Sequence, residues 1–266
     1  MAVIKPQTWA EADEIATRTL AQLVYPPVRV AGATCVTCTE PVPTGDQRCN
    51  GCRAHVASSW RDYLADYVVP LTYASDSETP QIRRFLHQYK NGFTESERVS
   101  AYSPLTFLFW QFVYRHYECL NAVAGGQIDG VLVVPSGKVG SRPDGHPIEQ
   151  FARYFPESWQ RIDAKRISDS TSRLINPDSL ALGTGHEIAG RRIVVFDDTW
   201  TTGAAVQTAS VALKRAGAAA VVIVVLGRWA NSSWAPVREF FGARPRGSHA
   251  ADSCPVTGGA CGGWPR

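Results

Sequence analysis

Apolar positions along the chain fall into two textures, a helical period in the first half and continuous runs in the second. Trp9, Ala12, Ile15, Ala16, Leu20 and Leu23 recur every three or four residues behind Thr8, with Glu11 placed to complete a capping box. The spacing predicts an amphipathic helix of about four turns, closed by Pro26-Pro27. Ile82, Phe85, Leu86 and Tyr89 share one face of a second predicted helix that stops near Gly92, and Thr94 with Glu97 offers another capping box. The cluster Phe107, Leu108, Phe109, Trp110, Phe112 and Val113 reads as core packing.

From Ile128 the pattern changes. Residues 128–134, 192–198 and 219–226 are apolar, β-branched runs, with helical patterns at 148–155 and 203–216 between them. Uninterrupted apolar strands separated by helices predict an α/β fold whose parallel sheet is covered on both faces. Beyond Trp229 the chain turns irregular, with one short helix expected near 237–241. The expected organisation is an N-terminal helix (1–30), a four-cysteine module (31–56), a helical segment (57–125), an α/β domain (126–230) and an irregular tail (231–266).

Composition narrows the function classes. With 266 residues, 44% hydrophobic and 19% charged, disorder is excluded as the main state. The net charge of +3 is too small to announce a nucleic-acid or membrane partner by bulk electrostatics. The N-terminus lacks the basic start and apolar core of a secretory signal, and the uncharged stretch Val99 to Tyr114 is interrupted by Ser103, Pro104 and Gln111. No membrane partner and a cytoplasmic location are therefore expected.

The stretch Val194-Val195-Phe196-Asp197-Asp198-Thr199-Trp200-Thr201-Thr202-Gly203-Ala204 carries the clearest chemistry. A buried strand is expected to end in two carboxylates, a hydroxyl-rich loop follows, and Gly203 opens a helix. A helix N-terminus presents unpaired N–H groups and partial positive charge, so Thr199, Thr201, Thr202 and Gly203 form a cradle for a phosphate. Asp197 and Asp198 accept hydrogen bonds and repel a phosphate, so their natural partners are the hydroxyls of a sugar attached to it. The pair beside the cradle specifies a phosphorylated ribose.

This arrangement resembles the phosphoribosyl pyrophosphate (PRPP) signature of the type I phosphoribosyltransferases: an apolar strand, two acidic residues, two variable positions, Thr-Thr-Gly and a small residue. Trp200 departs from the small or aliphatic residue usual there. The resemblance implies a Mg2+-dependent transfer of a phosphoribosyl group from PRPP to a nitrogen nucleophile, with release of pyrophosphate and with Asp197 and Asp198 as the catalytic carboxylates. Val133-Val134-Pro135-Ser136-Gly137-Lys138 stands where that family carries its pyrophosphate loop, which assigns Ser136, Gly137, Lys138 and Arg142 to the pyrophosphate. A Walker loop is rejected, because no glycine precedes Gly137 by five residues and Val139 replaces the magnesium-binding hydroxyl. The basic stretch from Arg161 to Arg173 falls where the family places a mobile loop that closes over PRPP. No residue identifies the acceptor base, and a homodimer is left open.

Cys35-Val-Thr-Cys38 and Cys49-Asn-Gly-Cys52 are two Cys-x-x-Cys knuckles separated by ten residues. Four thiolates make a closed tetrahedral site, so a structural Zn2+ is expected over a redox dithiol pair. Cys254 and Cys261, near His249, are left between a second metal and unpaired thiols, and Cys119 is expected to be buried. A four-cysteine module ahead of such a domain is similar to the competence-associated ComF family. The order of parts extends to Arg173 and Asn176 in an Arg-x-x-Asn pattern and to a last strand ending Leu226-Gly227-Arg228, whereas Asp144-Gly145-His146-Pro147-Ile148 replaces the family's usual Arg-Gly-Phe-Asn-Gln. The alternative function is a non-catalytic PRPP- or nucleotide-sensing protein, or an accessory factor in DNA uptake. Direct nucleic-acid contact by the module is disfavoured, because Cys35 to Cys52 holds only Arg48 against Glu40 and Asp46.

Overall fold

The structure, a computed structural model, describes residues 8–21, 23–76, 80–136, 146–168, 173–243 and 254–261. In chain order it comprises α1 (Trp9–Leu20), α2 (Asn50–Val56), β1 (Tyr67–Ala74), α3 (Pro80–Asn91), α4 (Glu95–Val123), β2 (Gly130–Val133) and α5 (Glu149–Ala152). There follow β3 (Gln160–Arg161), β4 (Ala164–Arg166), β5 (Leu180–Leu182), β6 (Arg192–Trp200), α6 (Ala204–Arg215), β7 (Ala220–Trp229) and α7 (Ala235–Gly242).

Both expected helix caps form. Thr8 accepts from the Glu11 amide, and Thr94 and Glu97 exchange both bonds of a capping box at the head of α4. The three apolar runs become β2, β6 and β7, and β6 and β7 extend past the expected ends to Trp200 and Trp229. The helix expected over 148–155 is shorter, reduced to the single turn of α5.

Five strands lie parallel in the order β1-β7-β6-β2-β3, while β4 and β5 form a separate antiparallel pair. The continuous apolar strands make sense in this sheet, because alternate residues serve opposite faces. Val194, Phe196, Val222 and Val224 pack under α1, α3, α4 and α5, whereas Val195, Ile223 and Val225 pack under α6 and the cysteine module.

The segment 57–125, expected to be helical, also supplies β1. Its Pro70 reads as a strand breaker in sequence, yet β1 is an edge strand paired only with β7, so one side of its backbone needs no amide donor. Residues 254–261 form turns and bends without helix or strand, yet Cys254 and Val256 are fully buried against the body.

The chain passes from β2 outward to β3 in one direction and from β6 outward to β7 in the other. The order of succession therefore reverses between β2 and β6, and in open parallel sheets the crevice beyond the strand ends at such a reversal is where ligands bind.

Candidate functional site

β2 and β6 pair in register from Gly130 with Ile193 to Val133 with Phe196, and the Val134 amide donates to the Phe196 carbonyl at 2.9 Å. β2 pairing stops at Phe196, so Ser136 leaves the sheet beside Asp197 and Asp198, which remain on β6 and pair only toward β7 at the reversal point. Gly137, Lys138 and Arg142 lie outside the described residues.

Thr199 and Trp200 belong to β6, paired with Gly227 and Arg228, so the loop is shorter than expected and runs from Thr201 to Gly203. Thr199 stands on β6, one strand residue before the loop begins. Thr201 is exposed, and the Thr202 hydroxyl accepts from the Ala204 amide at 3.3 Å. Gly203 caps α6 with φ +82°, and no acidic side chain occupies the first turn, so the positive end of the helix is not neutralised there.

Trp200 explains its own departure from the expected small residue. It is 1% exposed and turns under the loop against Gly203, with the His55 ring edge-on at 6.3 Å. A Cβ on Gly203 would meet the Trp200 indole at 2.2 Å, and the positive φ disfavours any side chain. Gly203→Ala is therefore expected to lower stability by roughly 3 kcal/mol, read as a shift in the urea midpoint, which combines left-handed backbone cost with overpacking. An unchanged midpoint would show that the loop is not held in this geometry.

The two carboxylates differ sharply. Asp198 is 5% exposed, and its Oδ2 accepts from Tyr89 Oη and Lys90 Nζ, each at 2.6 Å. Burial opposes its charge, but the Lys90 ammonium, the bonds from Lys90 and Tyr89, and His146 outweigh burial and hold its pKa below the usual value. Asp197 is pushed up to about 7 by burial and by the charge of Asp198, offset in part by the Asp198 amide, Lys90 and Arg166. Among the described residues no cation lies within ion-pair distance of Asp197.

Sequence reasoning missed the roles of Tyr89 and Lys90, and singled out the stretches holding Arg166 and Arg228 without the contacts these two make. Tyr89 counted only as an apolar position of α3, and nothing in the pattern of the helix marks Lys90 as facing a strand end more than a hundred residues away. Within the stretch Arg161 to Arg173, Arg161 ends β3 and bonds the Ala152 carbonyl, and Arg166 ends β4. Residues 169–172 of that stretch lie outside the described residues. Arg166 is 8% exposed, bonds Ser179 at 2.9 Å and keeps a buried Nε without a partner beside Asp197. Asn176 meets α6, its amide donating to Thr208 Oγ1 at 3.0 Å.

Below the loop lies the cysteine cluster. Cys35, Cys38, Cys49 and Cys52 are all buried, and their sulfurs lie within 4.8 Å of one another. Zn–S bonds of about 2.3 Å in a tetrahedron place sulfurs about 3.8 Å apart, and Cys38 and Cys49 are separated by 3.7 Å. The four residues are arranged to hold a metal ion. Thr39 adopts φ +63° to turn the first knuckle, and its carbonyl accepts from Tyr73 Oη at 2.6 Å.

Arg228 joins the two centres. Only 2% exposed, it donates from Nε to Cys38 Sγ at 3.3 Å, from Nη1 to the carbonyls of Trp200 and Thr201 at 3.1 Å, and from Nη2 to Glu40. Burial works against its charge, yet Cys38 and Glu40 raise its pKa above the ordinary value. Among the described residues a second group, His116, Cys119, Cys254 and Cys261, also gathers at metal-binding distance. No described helix is long and apolar enough to cross a membrane.

Fold and site together define an α/β protein with a five-stranded parallel sheet, flanking helices and a cysteine cluster arranged for a metal. Neither the models of known protein families nor the curated proteins contain a match to this chain.

Proposed function

We propose that the chain is a type I phosphoribosyltransferase-like enzyme of the ComF kind, which binds Mg-PRPP and transfers its phosphoribosyl group to a nitrogen nucleophile. The observation that supports this reading is that Ser136, just past the end of β2, lies beside Asp197 and Asp198 on the part of β6 that β2 no longer flanks, where the sheet reverses and ahead of the Thr201-to-Gly203 loop. In this assignment Thr201, Thr202 and Gly203 hold the 5-phosphate with the first amides of α6, and Asp197 and Asp198 hold the ribose hydroxyls. Ser136, Gly137, Lys138 and Arg142 take the pyrophosphate.

The oxygen donors suit a hard cation, because Asp197 offers a carboxylate not engaged by any described cation. Magnesium, when bound with PRPP, neutralises charge on the departing pyrophosphate. The protein's own part is to fix both ends of PRPP so that the reactive carbon is exposed in one orientation, which needs no covalent nucleophile. The four buried cysteines are assigned to structural Zn2+, the ion that thiolate tetrads favour.

A second reading, PRPP binding without turnover, draws on the Lys90–Asp198 pair. Lys90 and Tyr89 both bond Asp198 Oδ2, so Oδ1 remains for a ribose hydroxyl while the ammonium has already neutralised the charge of the carboxylate. One experiment separates the readings: incubation with Mg-PRPP and a panel of purine and pyrimidine bases, following pyrophosphate release and, in parallel, PRPP affinity by calorimetry. Turnover with a base, and affinity about tenfold or more weaker in Asp198→Asn and in Thr202→Val, are expected, each lost bond to a charged ligand being worth about 1.5–3 kcal/mol. Binding without pyrophosphate release selects the second reading. Undiminished affinity in both variants defeats the site assignment itself.

A further inference from the structure

We infer that His116, Cys119, Cys254 and Cys261 form a second structural zinc site, of Cys3His type, that clamps the C-terminal segment onto α4. His116 and Cys119 stand three residues apart, so they emerge from one face of α4. That face receives the segment 254–261, and the ligand atoms of all four residues lie within 4.8 Å of one another. His116 Nδ1 and Cys261 Sγ are 3.3 Å apart, against about 3.5 Å for the nitrogen–sulfur edge of a zinc tetrahedron. None of the three cysteines is in a disulfide.

The segment is built as a knuckle. The Cys254 amide donates to the Gly259 carbonyl and the Gly258 amide to the Cys254 carbonyl, both at 2.7 Å, which folds the chain between the two cysteines. Gly258 takes φ +77° so closely against Arg29 that a Cβ would lie 2.8 Å from its backbone nitrogen. The Val256 carbonyl accepts from Arg29 Nε at 3.0 Å and from Tyr67 Oη at 2.7 Å. Arg29 also donates to the carbonyls of Val36, in the first cysteine knuckle, and Val68, on β1. Arg29 thus connects the two cysteine centres through one guanidinium.

The need for a metal follows from the size of the segment. Cys254 and Val256 are its fully buried apolar side chains, too little area to offset the conformational entropy of ordering the whole knuckle on a helix. A closed four-ligand ion supplies the missing free energy, and three thiolates with one imidazole are a set zinc favours. With every ligand supplied by the protein, the ion is structural. His116, Cys119, Cys254 and Cys261 are separate from the Cys35 cluster and from the β2–β6 crevice, so the inference stands whether or not PRPP is the ligand.

The test is metal content of the intact chain purified without chelator. About two equivalents of zinc are expected, falling to about one in Cys261→Ser and in His116→Ala, with faster hydrogen exchange across 254–261 in both. Cys261 is the exposed ligand, so its replacement perturbs packing least. His116→Cys should retain two equivalents and, with cobalt(II) as probe, strengthen the thiolate charge-transfer absorption. A single equivalent in the parent that neither variant lowers, or a disulfide between two of these three cysteines in protein isolated without reductant, would overturn the assignment.

Discussion

Cys49→Ser, made in the full chain, is expected to lose the metal of the first cluster and to unfold the module from Ala31 to Val56. Structural zinc in small modules contributes about 10–16 kcal/mol of folding free energy, comparable with the entire stability of about 5–15 kcal/mol of a typical domain. Little else in the module can compensate, since among its apolar residues only Val42 joins the four cysteines in the buried cluster. The damage should spread beyond the module. Trp200 packs in the same cluster as the cysteines, and a Cβ on Gly51 of α2 would lie 3.5 Å from the Thr202 carbonyl. The module therefore supports the Thr201-to-Gly203 loop from beneath, and PRPP affinity should fall with the metal. Metal analysis, hydrogen exchange over 31–56 and calorimetry with Mg-PRPP check the three parts separately. Full metal content in Cys49→Ser would place the ligands elsewhere.

Arg228→Met should be the most costly single change outside the cysteines. The guanidinium is buried and satisfies Cys38, Glu40 and the carbonyls of Trp200 and Thr201 at once. Its removal leaves a largely buried carboxylate and several carbonyls without donors, a loss of about 3–5 kcal/mol when one partner of a buried ion pair is deleted. Glu40→Gln in the same background should recover part of that loss, because it neutralises the orphaned charge. The denaturant midpoints of the two single variants and the double variant give the coupling directly. A cost under about 1 kcal/mol with no coupling would contradict the buried-tie geometry. Loss of PRPP binding at full metal content is also expected, because Arg228 holds the carbonyls on which the loop turns.

The elements legible in sequence are those whose cause lies within a few residues. The cap at Thr8 is one bond from an amide three residues on and that at Thr94 a full exchange with Glu97, and β6 followed by α6 is an apolar run, a hydroxyl loop and a glycine in immediate succession. The Cys35, Cys38, Cys49 and Cys52 set was likewise visible, since its ligands fall within 18 residues of one another. β1 was hidden by Pro70, because a local rule cannot know that a strand will lie at an edge. The β4–β5 pair was hidden because three-residue strands carry no periodic signal.

The candidate site divides along the same line. Asp197, Asp198, Thr199, Thr201, Thr202 and Gly203 stood out from their order along the chain, two acidic residues, a hydroxyl-rich loop and a helix start in succession. Lys90 meets Asp198 across 108 positions, Arg228 meets Cys38 across 190, and Cys261 meets His116 across 145. Contacts of that span leave no spacing to read.

By itself the sequence determined the α/β texture, the succession of acidic pair, hydroxyl loop and helix, and the first cysteine tetrad, because each rests on short-range backbone geometry and ligand spacing. Only the tertiary structure decided that β2 stops beside Asp197 and Asp198 where the sheet reverses, that Trp200 fills the space beneath Gly203, and that Lys90 and Arg228 neutralise the buried charges. It also brought Cys254 and Cys261 to α4. The physical reason is that burial and charge pairing depend on which surfaces meet, and those meetings follow from packing the whole sheet rather than from any local run of residues.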